Sequence, residues 1–260
     1  PTFLVRIDEN TGQTILSGMG ELHLEILVDR LLREFKVRAK VSQPQVAYRE
    51  TVTAEAEAEG VFNRQAGGSP QFAHIWLKVE PLPAGEGFLF AETADARSLL
   101  PPEFIQAVQE GCAEAMESGV LAGYPLVDVK ATLLRGKVDE EISTEMAFKV
   151  AGSKAFREAV ERAEPVLLQP TMDLEVIFPE DFTGEVVGDL NARGASIRSI
   201  EPRAGGVQVL SALAPLAKMF GYATAIRSLT QGRGTFTMEF HHYAPVDKDK
   251  MEAIIYGGVW

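Results

Sequence analysis

The residues that could catalyse a reaction or bind a metal ion are few, and their spacing suits neither task. The four histidines are His23, His74, His241 and His242, and none stands four residues from another on a predicted helix, as a helical metal-binding pair would. The single cysteine, Cys112, lies on an apolar helical stripe, which predicts a buried and unreactive thiol. The sequence therefore predicts no catalytic site and no metal site.

Two short segments have some features of a ligand site. Gly152-Ser153-Lys154 resembles the end of a phosphate-binding loop, but it lacks the upstream glycine and falls within an amphipathic helix. A packing contact between small residues is the simpler interpretation. Asp139-Glu140-Glu141 could hold a cation, although a solvated loop explains three adjacent carboxylates more simply.

A glycine-rich segment between two predicted strands has the clearest binding potential. It runs from Arg64 to Pro70 with the sequence Arg-Gln-Ala-Gly-Gly-Ser-Pro, and it is uncharged after Arg64. Small side chains allow a backbone to approach a ligand closely. A flexible hairpin connection would have the same composition, so the residues alone leave both interpretations open.

The composition indicates a folded protein with an acidic middle. The chain has 260 residues, of which 46% are hydrophobic and 24% charged, and its length suits two or three domains. The net charge is −12, of which residues 48–165 hold −9, residues 166–260 hold −3 and residues 1–47 hold none. This acidity argues against binding nucleic acid through overall charge. A solvated surface would explain it, as would RNA binding confined to local basic or glycine-rich loops.

The sequence also indicates a cytoplasmic compartment. No apolar run approaches the roughly 20 residues of a membrane span, and residues 1–10 lack the basic start and apolar core of a signal peptide. One cysteine leaves no disulfide framework, which is typical of a reducing environment. We expect no membrane partner.

Residues 1–47 are predicted to form a hairpin, a helix over residues 20–35 and a strand over residues 36–41. Asn10-Thr11-Gly12 supplies the hairpin turn. So few strands could hardly cover the apolar stripe of the helix. We therefore expect the C-terminal part of a truncated ferredoxin-like domain, whose earlier elements lie upstream.

Residues 48–165 are predicted to form an α+β domain. An alternation over residues 48–59 and a strand over residues 73–79 flank the glycine-rich segment. The second strand would place Ala73, Ile75, Leu77 and Val79 on one face and His74, Trp76, Lys78 and Glu80 on the other. A helix from Pro101-Pro102 to Gly119, a strand over residues 125–134, a loop over residues 135–141 and a helix over residues 143–163 follow.

Residues 166–260 are predicted to form a complete βαββαβ unit, the ferredoxin-like split βαβ pattern. Strands over residues 172–178, 196–202, 206–213 and 236–242 alternate with helices that begin near Pro179 and Leu216. A short tail over residues 251–260 follows. The predicted fold class is therefore multi-domain α+β, with boundaries near residues 47 and 165.

Several long motifs, in order along the chain, resemble those of bacterial elongation factor G, a translational GTPase. They are Thr11–Glu25, Gln43–Thr51, Arg64–Gly68, Gly123-Tyr124-Pro125, Ser143–Phe148, Gly184–Gly194 and Pro215–Thr224. The resemblance covers nearly the whole chain. It implies the end of domain III followed by domains IV and V, without the GTP-binding domain that would hold GTP and Mg²⁺.

The resemblance also implies partners and a role. Proteins of this family move tRNA and mRNA through the ribosome, and with a recycling factor they help to split it. Domain IV is an elongated arm that occupies roughly the place of a tRNA anticodon stem in the decoding region. A monomer without catalytic activity or a cofactor of its own is expected from this part of the chain, and the intact parent would be a ribosome-dependent GTPase.

By position, the contacts of the arm with ribosomal RNA and tRNA would come from two loops. The first contains Arg64, Gln65, Gly67 and Gly68, and the second contains Lys137 and Asp139. In this family the first loop usually has a serine and an Arg-Gly pair where this chain has Ala66, Ser69 and Pro70, and the second usually has a histidine at the position of Asp139.

The departure at Asp139 leaves two roles in translation open. A carboxylate repels phosphate, whereas a neutral imidazole can donate a hydrogen bond to it. The chain could therefore come from a translocase, or from a divergent paralogue that serves ribosome recycling or ribosome protection. A third hypothesis, a regulatory module that binds a small molecule, is supported only by glycine-rich turns such as Ala204-Gly205-Gly206.

Overall fold

The computed structural model describes residues 3–7, 12–18, 21–37, 46–64 and 70–256, and it divides into two compact units. One unit contains residues 1–47 and 169–244, and the other contains residues 48–168 and 245–259. The predicted division into three domains at residues 47 and 165 stays a prediction. Within the described ranges, no helix has both the length and the apolar character needed to cross a bilayer.

The first unit begins with the predicted hairpin and helix. Strand β1 (Phe3–Ile7) pairs antiparallel with β2 (Thr14–Gly18), and helix α1 (Glu21–Arg33) follows. The helix ends with basic side chains in its last turn, where they offset the negative end of the helix dipole. The predicted strand over residues 36–41 is not present at residues 36 and 37, and its other residues lie outside the described ranges.

The second unit is built on a four-stranded sheet with the order β4-β5-β7-β6. Its elements are β3 (Arg49–Val52), β4 (Ala56–Arg64), β5 (Gln71–Pro81), β6 (Phe88–Glu92), α2 (Ala94–Leu99), α3 (Pro102–Ser118), β7 (Val129–Lys137) and α4 (Glu145–Arg162). Strands β4, β5 and β7 pair antiparallel, and β6 pairs parallel with β7. The sequence did not predict β6 or α2.

The alternation along β5 is confirmed. Ala73, Ile75, Leu77 and Val79 are completely buried in a core shared with α3 and α4. The intervening residues, which include His74 and Trp76, are only partly buried. The sheet therefore has one face covered by helices and one face that the helices leave open.

The predicted loop over residues 135–141 is wrong for its first three residues, because β7 continues to Lys137. A β-bulge at Trp76/Leu77 shifts the register between β5 and β7, and the pairing continues beyond it with Arg135 opposite Trp76 and Lys137 opposite His74. Gly136, which falls in the predicted loop, is buried within the strand. A Cβ there would lie 2.8 Å from the terminal methyl groups of Leu100, so a larger residue would require the Leu100 side chain to move.

Three glycines allow backbone to approach backbone around α4. A Cβ on Gly60 of β4 would lie 2.1 Å from the carbonyl oxygen of Ala151, and one on Gly111 of α3 would lie 2.1 Å from that of Lys149. A Cβ on Gly152 would lie 2.9 Å from the carbonyl oxygen of Val108. The prediction that Gly152-Ser153-Lys154 is a packing contact within a helix is therefore confirmed.

Cys112 is buried beside the contact between α3 and α4, and its burial was predicted. Its Sγ lies 3.8 Å from the carbonyl oxygen of Gly152. Burial raises the pKa of the Cys112 thiol well above its usual range, because the thiolate would lose its hydration. The thiol is therefore unreactive at neutral pH.

A buried carboxylate fixes the segment that follows α3. Glu50 of β3 is fully buried, and its Oε2 accepts hydrogen bonds from the backbone N–H groups of Val120 (2.7 Å) and Leu121 (3.0 Å). Its Oε1 accepts from those of Ala122 (2.9 Å) and Tyr124 (3.1 Å). Four N–H donors replace the hydration that the carboxylate loses on burial. This segment leads directly to β7.

The first unit also contains the predicted βαββαβ arrangement. Its elements are β8 (Pro165–Pro179), α5 (Thr183–Ala192), β9 (Ser196–Arg203), β10 (Val207–Pro215), α6 (Tyr222–Leu229) and β11 (Thr235–Pro245). The strand order β11-β8-β10-β9 is that of a ferredoxin-like sheet, so this fold prediction is confirmed. Helix α5 ends before Gly194, whose φ of +74° suits the stop predicted there.

The end of the chain forms one more helix, α7 (Lys248–Tyr256), which belongs to the second unit. The predicted face of β11 is only partly buried. Phe236 and Met238 pack against the ferredoxin-like core, whereas Phe240 is 57% exposed. The alternation of apolar residues thus extends beyond the part of the strand that the core covers.

Gly111→Ala is expected to destabilise the chain by about 3 kcal/mol, because the new methyl group must displace the backbone of α4. Gly184→Ala is the matched control, since Gly184 is also helical but has no atom within 4 Å of the place that a Cβ would take. It should stabilise the chain by about 0.5 to 1 kcal/mol through helix propensity. Thermal unfolding followed by circular dichroism measures both. Equal effects of the two substitutions would contradict the packing.

Candidate functional site

The start of β5 meets the segment between β7 and α4 at one end of the four-stranded sheet. Strand β4 ends at Arg64, which lies opposite Gln71 at the start of β5. The next residue, Phe72, pairs with Ser143 in an isolated parallel bridge, and its N–H donates to the carbonyl oxygen of Ile142 at 3.0 Å. The start of β5 and the segment between β7 and α4 are therefore neighbours.

The predicted contact residues are only partly within the described ranges. Gln65, Gly67 and Gly68 lie outside them. Arg64 is exposed at the end of β4, and Lys137 is exposed at the end of β7. The pairing above brings the Arg64 end of the sheet and the segment that contains Asp139 together.

The segment between β7 and α4 is held by a small network around Ser143. The Ser143 hydroxyl accepts from the N–H of Asp139 at 2.9 Å and donates to the carbonyl oxygen of Phe72 at 2.9 Å. The Asp139 carboxylate accepts from the N–H of Glu141 at 3.1 Å, which makes an Asx-type turn. The Thr144 hydroxyl then caps α4. The loop is thus shaped by its own hydrogen bonds.

Asp139, Glu140 and Glu141 are all exposed in this loop. Within the part of the chain that the structure describes, no group of three or more His, Cys, Asp and Glu side chains could hold a metal ion. In the other unit, the Nδ1 atoms of His241 and His242 approach to 2.6 Å, but the pair is not joined by a third ligand among the described residues.

An aromatic and basic group of side chains lies on the open face of the same sheet. We call it the Trp76 cluster, and it comprises His74, Trp76, Arg135 and Lys137. The His74 and Trp76 rings stack with centroids 3.9 Å apart. The Arg135 guanidinium carbon lies 4.4 Å from the indole centroid, and the Lys137 ammonium lies 5.4 Å from it. Both distances allow cation–π attraction.

The cations farther along the open face are neutralised by carboxylates. Lys78 pairs with Glu55 at 2.9 Å and with Glu80 at 3.3 Å, and Lys130 lies 3.5 Å from Glu80. Hydrogen bonds to Glu55 and Glu80 raise the pKa of Lys78. By contrast, neither Arg135 nor Lys137 has a carboxylate within ion-pair distance among the described residues. The positive charge of this face is therefore concentrated toward the loop end.

The alternation along β5 predicted that His74 and Trp76 share one face, but it did not predict the cluster. Alternation along β5 was the available signal, and it was sufficient for those two residues. Arg135 was assigned to a loop, because nothing in the sequence marks the bulge that carries β7 past Leu134. The pairing of Trp76 with Arg135 depends on that bulge.

The comparisons with known proteins cover the whole of this architecture. Residues 1–43 match the family model "Elongation Factor G, domain III", residues 44–164 match "Elongation factor G, domain IV", and residues 166–254 match "Elongation factor G C-terminus". The sheet, the Ser143 network and the Trp76 cluster all fall within the second match. None of the three matched models is a GTP-binding domain.

A protein of Thermus thermophilus with a solved crystal structure is similar throughout this chain. The two are 37% identical, with a TM-score of 0.83, over 98% of this chain and 38% of that one. This chain therefore spans less than two fifths of the length of that protein. Together, the three consecutive models and the shared structure show that the chain belongs to the elongation factor G family, in which it corresponds to domains III and IV and the C-terminus.

Proposed function

We propose that this chain is the ribosome-binding C-terminal portion of a translational GTPase that promotes movement of tRNA and mRNA during protein synthesis. The observation that carries the proposal is that the start of β5 lies beside the segment between β7 and α4 at one end of the domain IV sheet, where Arg64 and Lys137 are exposed. In the family, the connections at this end would reach the decoding region. The chain's own role would be binding and mechanical positioning.

The hydrogen bonds within the segment between β7 and α4 support a role for this segment in contacting RNA. A contact loop must hold its shape before binding, or the ordering of the loop weakens affinity. The bonds of Ser143 to Asp139 and Phe72 fix this loop against β5 without any external partner. Thr144 then ties the loop to the start of α4. The loop is thereby preorganised at the end of a rigid sheet.

The charge distribution supports a contact that is local. Residues 48–165 have a net charge of −9, so the unit as a whole is repelled by phosphate. Binding to ribosomal RNA or to tRNA then requires a small surface where cations outnumber carboxylates. Arg64 and Lys137 supply positive charge at the loop end, whereas Asp139 opposes it.

Other features of the parent protein follow from the same proposal. GTP and Mg²⁺ would bind in a separate N-terminal domain, and the intact parent would hydrolyse GTP when it binds the ribosome. A ribosome recycling factor would be a further partner, the protein would act as a monomer, and it would work in the cytoplasm. Absence of ribosome-stimulated GTP turnover by the intact parent would contradict this part of the proposal.

Arg64→Gln is expected to weaken binding of the 260-residue chain to bacterial ribosomes and to lower the slope of log affinity against log salt by about 1. One phosphate contact contributes roughly that slope. Co-sedimentation across a salt series measures both quantities. Arg97→Gln is the control for net charge, because Arg97 is an exposed residue of α2 in the same unit whose guanidinium pairs with Glu92 at 2.8 Å.

Two outcomes of that experiment would contradict the proposal. One is failure of the unaltered chain to bind ribosomes at low salt, because the chain would then lack the binding role assigned to it. The other is an equal effect of Arg64→Gln and Arg97→Gln, because the contact would then not lie at the loop end of the sheet.

Asp139 favours a second candidate, a paralogue that serves ribosome recycling or protection. Its carboxylate is exposed in the loop that the resemblance places beside tRNA, and only one of its oxygens is used by the turn to Glu141. A carboxylate so placed weakens a contact with phosphate. The second candidate differs from the first in the step of translation that it serves.

For a translocase, Asp139→His in the intact parent protein should leave the translocation rate unchanged within about twofold, since the parent already works with a carboxylate there. Asp139→Asn is the matched control, because an amide oxygen can still accept from the N–H of Glu141 while the charge is removed. Rapid-kinetic translocation assays provide the measurement. A weak starting rate that Asp139→His restores would instead support the recycling or protection paralogue.

A further inference from the structure

The Trp76 cluster is a group of side chains with a chemistry of its own. It lies on the open face of the sheet rather than in the two connections, and the resemblance assigns no role to Trp76, His74 or Arg135. Its cations are held over an indole ring, as described above.

The stacking arrangement leaves the donors of Arg135 available. A guanidinium that stacks on an aromatic ring uses its face, so its N–H groups, which lie in the guanidinium plane, can still donate to a ligand. Two such donors match two oxygens of a phosphate. Because no described carboxylate pairs with Arg135, these donors are not consumed by an ion pair within the described residues. Trp76 also limits the rotamers of Arg135, which lowers the entropy lost on binding.

The second cation of the cluster, Lys137, extends the positive surface toward the loop. It lies two residues beyond Arg135 in β7, on the same face of the strand. Side chains two residues apart along a strand are about 6.6 Å apart. Successive phosphates of a nucleic-acid strand are spaced on a similar scale, so the two cations suit neighbouring phosphates.

The carboxylates near the cluster have to be considered. Glu57, Glu59 and Glu158 line one hollow together with Trp76, and Glu158 is paired with Arg162. Glu59 lies opposite Trp76 on β4 and bonds to Nε2 of His74 at 3.0 Å. Since β4 and β7 flank β5 on opposite sides, Glu59 and Arg135 are separated by two strand spacings, or about 10 Å. That is about one Debye length at moderate salt, so Glu59 only weakly reduces the attraction of Arg135 for an anion.

We propose that the Trp76 cluster binds the phosphodiester backbone of an RNA strand, which it would hold beside the loop end of the sheet. Arg135 and Lys137 contact neighbouring phosphates, and Trp76 holds Arg135 in place. This inference deepens the proposed function and rests on it, because the ribosome would supply the RNA. It adds a contact surface on the open face to those expected at the two connections.

The test uses the whole chain with Trp260→Phe, which leaves Trp76 as the one tryptophan of the 260 residues. Its fluorescence is titrated with a single-stranded RNA oligonucleotide over a salt series. Arg135→Gln combined with Lys137→Gln should weaken RNA binding by about tenfold or more and lower the log–log salt slope by about 2. Trp76→Leu, followed by fluorescence anisotropy of labelled RNA, should weaken binding about two- to fivefold.

The controls distinguish binding at the cluster from the effect of the net charge of the unit on RNA binding. Arg97→Gln removes one positive charge from the same unit and should leave the RNA affinity nearly unchanged. Absence of RNA binding at low salt, an equal effect of Arg97→Gln and Arg135→Gln, or equally tight binding of polyglutamate would each overturn the proposal. Inorganic phosphate should compete only weakly, because it offers one phosphate where the cluster contacts two, and strong competition would also overturn it.

The result is independent of the ribosome experiment. If ribosomes bind the chain and the cluster variants bind RNA like the unaltered chain, this inference fails while the proposed function stands. If RNA binds through the cluster but ribosomes do not bind, the proposed function fails instead.

Discussion

The close approach of backbones around α4 is the constraint on which the candidate site depends. Gly60 on one side and Gly111 on another leave no room for a Cβ against the carbonyl oxygens of Ala151 and Lys149. Helix α4 is therefore held at a fixed distance from the sheet and from α3. Because Thr144, the cap of α4, directly follows Ser143, that position also fixes the loop that Ser143 ties to β5. The packing of α4 in the middle of the unit thus determines the geometry of the Ser143 loop at its end.

The two faces of β5 differ in composition and in burial. One face is buried and apolar, and it joins the sheet to the helices. The other carries the stacked rings of His74 and Trp76, with the two cations of β7 above the indole. An acidic unit that binds RNA must concentrate its positive charge on one surface. Because Lys78 and Lys130 pair with Glu80, Arg135 and Lys137 supply the positive charge of this face. This arrangement would reconcile a net charge of −9 in residues 48–165 with the proposed RNA partner.

Local patterns were sufficient to predict much of this fold, but not the site. Alternation predicted both faces of β5, Pro101-Pro102 predicted the start of α3, and the βαββαβ order predicted the ferredoxin-like sheet. Strand β6 was missed because Phe88–Glu92 is short and does not alternate between apolar and polar residues. Arg135 was misplaced because the bulge opposite Trp76 is a property of strand pairing, which no local pattern encodes. Which side chains meet across strands depends on register, and register is fixed by the whole sheet.

Directed hydroxyl-radical cleavage of ribosomal RNA would test whether the loop that contains Asp139 reaches the decoding region. Cys112 is buried and its thiol is not reactive, so a cysteine introduced as Asp139→Cys can be labelled selectively with an iron chelate. Gln106→Cys, on the exposed side of α3, provides a comparison from the helical layer. Ribosome-bound chain labelled at position 139 should cleave RNA of the decoding region, whereas label at position 106 should not cleave those nucleotides. No cleavage from position 139, or the same cleavage from both positions, would contradict this placement of the loop.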